Sequence, residues 1–77
     1  GPGDDLDRAE IRDAVRRAVD GLPPNQRMAV ILSRFHELAY EDIAESMSVS
    51  LEAVKSLLFR ARENLKTALE KLIRREP

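Results

Sequence analysis

The chain has no cysteine and no tryptophan, only one histidine, one tyrosine and two phenylalanines among 77 residues. Without cysteine there are neither disulfides nor thiolate metal sites. A single histidine, with no HExxH-type spacing around it, does not assemble a zinc centre or a nucleophile–base–orienter triad. Enzymatic chemistry therefore has no support, and no cofactor is called for. No apolar run approaches the roughly 20 residues that cross a bilayer, and no secretory leader is visible, so a cytoplasmic setting without a membrane partner is expected. Alternating strand patterns, internal repeats and low-complexity tracts are absent as well.

What is present is a short chain rich in charge. A domain of this size buries only about 60% of its unfolded surface, so every helix must contribute to one shared core. Gly1-Pro2-Gly3 reads as the residue of a cleaved affinity tag, leaving 4–77 as a single domain excised from a longer protein. The net charge of −1 hides an asymmetry. From Ala53 to Arg75 seven basic residues face two acidic ones, a net of +5, which leaves −6 for the remainder. The two ends are expected to prefer different partners.

Four helices account for the pattern, an all-α fold with helices over about 8–20, 24–36, 40–47 and 51–73. In the first, Asp7 suits the N-cap with Glu10 three residues on, the apolar stripe is Ile11, Val15, Ala18, Val19 and Leu22, and Gly21 supplies the stop. Pro24 fits the first turn of the second helix, whose buried side is read as Met28, Ile31, Leu32 and Phe35. The third buries Ile43, Ala44 and Met47. Ser48-Val49-Ser50 forms a turn, with Val49 pinned inward and Ser50 capping the fourth helix.

Counting about 100° per residue along that fourth helix puts Val54, Leu58, Ala61, Leu65, Leu69 and Leu72 on one side. Lys55, Ser56, Phe59, Glu63 and Lys66 fall opposite, flanked by Arg60 and Arg62. A short helix, a tight turn and a longer helix with one greasy and one cationic face is the pattern of a helix-turn-helix, whose second helix lies in the DNA major groove. Lys55 and Arg60 are candidates for guanine edges or phosphates, and Phe59 for a thymine methyl or the sugar backbone. Glu52 either accepts from a cytosine amino group or serves the helix dipole, and Ser56 bonds a phosphate or a base edge. Arg62 and Lys66 fit phosphate positioning, while Tyr40 either touches a phosphate or packs on the fourth helix. His36 reads as an ordinary helix-end residue, and Arg74 and Arg75 extend past the last clear core position.

Three segments carry a family resemblance: Leu22-Pro23-Pro24-Asn25-Gln26-Arg27, then Leu38-Ala39-Tyr40-Glu41-Asp42-Ile43-Ala44-Glu45, then Val54-Lys55-Ser56-Leu57-Leu58-Phe59-Arg60-Ala61-Arg62. In this order and spacing, from about Leu22 to Leu65, the chain resembles the C-terminal region-four domain of bacterial RNA polymerase sigma factors of the extracytoplasmic-function (ECF) subfamily. The resemblance implies recognition of the promoter minus-35 element, a grip on the flap of the polymerase β subunit, and masking by an anti-sigma factor in many members. A monomer is expected. Two other readings stand beside it: an interaction module that binds an anti-sigma factor without reading DNA, and the output domain of a LuxR-like response regulator. The chain departs from the family pattern at three places. Ala39 stands where a capping serine is usual, Ser48 where the turn glycine is usual, and Leu57 where arginine is frequent.

Overall fold

A computed structural model describes residues 8–73, and the proposed Asp7 cap, the tag-like Gly1–Gly3 and Arg74 and Arg75 lie outside them. The helices are α1 (Arg8–Asp20), α2 (Pro24–Val30), α3 (Tyr40–Met47) and α4 (Leu51–Ile73), with one turn of π-helix, Ile31–Phe35, continuing α2. The expected all-α architecture with a helix-turn-helix is what the chain adopts.

Helix α1 runs alongside α4 and buries Ala14, Ala18 and Val19, with Val15 half-buried. Ile11, expected in the stripe, is instead 44% exposed. Gly21 ends the helix, but its φ lies outside the left-handed range. The free carbonyls at this end find a different partner: one guanidinium nitrogen of Arg27 donates to the carbonyls of Asp20 at 2.9 Å and Leu22 at 3.3 Å. An arginine at a helix C-terminus satisfies acceptors that would otherwise depend on water.

Helix α2 starts as expected, with Pro24 in its first turn and no side-chain cap. Its buried residues are Ala29 and Val30, with Ile31 and Leu32 half-buried. Met28 and Phe35, both expected in the core, are 48% and 65% exposed, and this corrects the sequence reading. The π turn explains Phe35. The His36 N–H reaches back five residues to the Ile31 carbonyl at 3.2 Å, and the Leu38 N–H reaches the Leu32 carbonyl at 3.0 Å. One extra residue in the turn rotates the later side chains by roughly 100° relative to an α-helical register, so Phe35 swings off the face it would have shared with Ile31. Glu37 then takes a left-handed φ of 54°, bringing the chain into α3.

Ala39, the residue before helix α3, offers no side-chain cap. The helix's first amides are met by backbone alone, with the Asp42 and Ile43 N–H groups donating to the Ala39 carbonyl at 2.9 and 3.0 Å. Packing compensates, since Ile43 is fully buried and Ala44 nearly so. At the other end Ser48 is left-handed (φ 58°, ψ 46°). The Val49 N–H bonds the Ala44 carbonyl at 3.0 Å and the Ser48 N–H bonds that of Glu45 at 3.2 Å. This is the Schellman arrangement, with serine where glycine would be unstrained. The half-buried Val49 packs against the core, as expected. Ser50 then caps α4, its Oγ accepting the Ala53 N–H at 3.0 Å.

The core is one cluster: Val19 and Leu22, Ala29 and Val30, Ile43 and Ala44, and Val54, Leu58 and Ala61 of α4. Met47, Leu57 and Leu65 close its edges. Helix α4 is the element on which the other helices assemble, and its inward face is the one its periodicity named.

Candidate nucleic-acid interface

With Val54, Leu58 and Ala61 fixed inward, the residues between them are forced outward. Glu52, Lys55, Ser56, Phe59 and Arg60 are all exposed along one side of α4, and Phe59 keeps 62% of its surface open. Among the described residues no hydrogen bond ties Lys55 or Arg60 to the rest of the fold. Lys66 is exposed nearly two turns beyond Arg60, and Leu57 is half-buried at the edge of the core. Two cations, a hydroxyl and an aromatic ring on one rigid helix can meet phosphates, base edges and a thymine methyl.

Arg62, read as a phosphate contact, and Tyr40, read as touching a phosphate or packing on the fourth helix, lie together. Nη2 of Arg62 donates to the Tyr40 hydroxyl at 3.2 Å, bridging α4 to the start of α3. Of the two sequence readings for Tyr40, packing on the fourth helix is the one the geometry displays. A second bridge, unforeseen from sequence, runs from Nδ2 of Asn64 to Oε1 of Gln26 at 2.7 Å and ties α4 to α2. The Gln26-Arg27 pair thus has a mechanical meaning: one residue fastens α4, the other fastens α1.

The sequence reading also missed an open apolar groove. It is lined by Val15 and Val19 of α1, Val30 and Phe35 around the π turn, and Leu58 and Leu65 of α4, and encloses about 510 Å³. Arg34 and Arg62 border it, and a neighbouring hollow that shares Val15, Val19 and Phe35 with it is flanked by Arg12, Arg16 and Asp20. The signal was hidden because Phe35 has helical spacing from Ile31 and reads as core. No group of three or more histidine, cysteine or carboxylate side chains among the described residues is arranged to hold a metal. No helix among them is long and apolar enough to cross a membrane.

A family model described as "Sigma-70, region 4" matches residues 12–65, from the first turns of α1 through the exposed cationic stretch of α4. The chain belongs to the sigma-70 region 4 family. Its likeness to ECF sigma factors places this region-4 domain in the ECF branch. It is 41% identical over 66 residues to the ECF RNA polymerase sigma-E factor of Escherichia coli, covering 86% of this chain and 35% of that protein. The sigma-E factor of Shigella flexneri matches to the same extent. The RNA polymerase sigma-H factor of Pseudomonas aeruginosa is 42% identical over 67 residues, 87% of this chain and 35% of the relative. The chain thus spans about a third of the length of the curated relatives it matches. Region-4 domains are not enzymes, and the match begins at Arg12, so α1 belongs to the family unit although the sequence resemblance started only at Leu22.

Proposed function

We propose that this region-4 domain recognises the minus-35 element of promoter DNA during transcription initiation, with α4 in the major groove and the domain working in the cytoplasm as part of an ECF sigma factor. The observation that carries the reading is the exposed face of α4, where Lys55, Ser56, Phe59 and Arg60 stand clear of the core beside Glu52. Lys55 and Arg60 take guanine edges or phosphates, Phe59 a thymine methyl or sugar, and Lys66 adds attraction toward the backbone. The groove around Phe35 is the surface offered to the β flap of the polymerase core, an apolar channel bordered by arginines. The same channel favours a second partner, an anti-sigma factor, which would mask the domain by occupying it. Membership in the region-4 family separates the chain from LuxR-like output domains.

The test is promoter-specific transcription by polymerase carrying this domain within a full-length ECF sigma factor. Arg60→Ala and Lys55→Ala are each expected to weaken promoter use by about 1–3 kcal/mol and to relax preference at one position of the box. Transcription unchanged by both substitutions overturns the site assignment.

A further inference from the structure

Arg62 lies four residues after Leu58 and three before Leu65, between the groove and the exposed cationic face. Its guanidinium is held at the flank by the Tyr40 hydroxyl, 3.2 Å away. The acceptor is itself fixed, because the Tyr40 ring is half-buried and packed against the core that holds Ile43 and Val54. Arg62 also lines the groove beside Leu58 and Leu65. Arg60 is tied to no described residue, whereas Arg62 is already committed to the opening residue of α3. The bond joins positions 22 apart in sequence and links the two helices of the motif near their outer edge.

We propose that Arg62 is a positioning residue. Together with Tyr40 it braces the recognition helix against α3 and sets the roll at which Lys55, Ser56, Phe59 and Arg60 meet the base edges, and it does not itself neutralise a phosphate. The inference rests on the promoter-reading role above. The core residues Ala44, Val54 and Leu58 fix the distance between α3 and α4. A polar bond at the periphery fixes their rotation, on which base readout depends, since such contacts tolerate misplacement of only about 0.5 Å. Loss of the brace therefore blurs discrimination between sequences while leaving the number of neutralised phosphates unchanged.

The experiment uses the duplex this chain selects from a randomised DNA pool and a scrambled version of it, titrated across a potassium chloride series. The proteins are the unaltered chain, Tyr40→Phe, Arg62→Gln, Arg62→Lys and the Tyr40→Phe/Arg62→Gln pair. Each single change is expected to lower the preference for the selected duplex about five-fold, with no further loss in the pair and no rescue by lysine. The dependence of log affinity on log salt is expected to keep its slope. A slope reduced by about 0.9 in Arg62→Gln, with Tyr40→Phe neutral, makes Arg62 a phosphate contact and overturns the proposal. Additive effects of the two single changes overturn it as well. If the pool yields no enriched duplex, the promoter reading fails on its own. The brace is then judged by the same set of variants in urea unfolding, where non-additive changes in the unfolding equilibrium uphold it and additive ones refute it.

Discussion

Single residues in this domain carry conformational costs that the sequence exposes at some positions and conceals at others. Ser48 is left-handed at φ 58°, a conformation suggested beforehand only by the family resemblance, which has a turn glycine at this place. Glu37 is equally left-handed, yet nothing in its neighbours marks it, because the cause is the π turn before it. A non-glycine residue pays about 1–2 kcal/mol for this region. Ser48→Gly is therefore expected to stabilise the domain by about 1 kcal/mol, read as a shift in the urea midpoint with unchanged slope. Ala39→Ser supplies the missing cap of α3 and is expected to add about 1 kcal/mol by the same measurement. A destabilising Ala39→Ser would mean that the backbone at Ala39, held by its bonds to Asp42 and Ile43, leaves no room for the serine hydroxyl.

At the scale of elements, helix boundaries were readable because local signals coincide with them. Pro24 opens α2, Ser50 caps α4, and the apolar period of α4 names its buried Val54, Leu58 and Ala61 and the half-buried Leu65, Leu69 and Leu72. Facing was misread where the helix is not uniform. Met28 and Phe35 have the spacing of a buried stripe, but for Phe35 the α-helical period ceases to hold once one residue is inserted at Ile31–Phe35, while the exposure of Met28, which precedes that turn, has no such cause. The consequence can be measured. Ile43→Ala, at a side chain with no exposed surface, is expected to cost about 3 kcal/mol. Phe35→Ala is expected to cost less than about 1 kcal/mol in the free domain despite the larger side chain removed, because only a buried ring leaves a cavity. Comparable losses from the two substitutions in urea unfolding would place Phe35 back in the core. Under the proposed role of the groove, Phe35→Ala also weakens binding to a β-flap fragment, while Met28→Ala, which does not line that groove, leaves it unaltered.

For the whole molecule, charge and packing divide the labour along α4. Its inner side gathers the other three helices, and its outer side is left to a partner by the same periodicity, so fold and candidate interface are two readings of one amphipathic pattern. That is why the exposed face of α4 was legible from sequence while the two bridges, Arg62 to Tyr40 and Asn64 to Gln26, were not. A bridge depends on where two distant segments meet, and periodicity along one helix says nothing about that. The most direct measurement is a titration of the isotopically labelled chain with its selected duplex, following backbone amide resonances. The account predicts that the largest changes fall on Glu52, Lys55, Ser56, Phe59 and Arg60, with the exposed side of α1 unmoved. Changes confined to α1 and the groove, with these α4 positions silent, would contradict it.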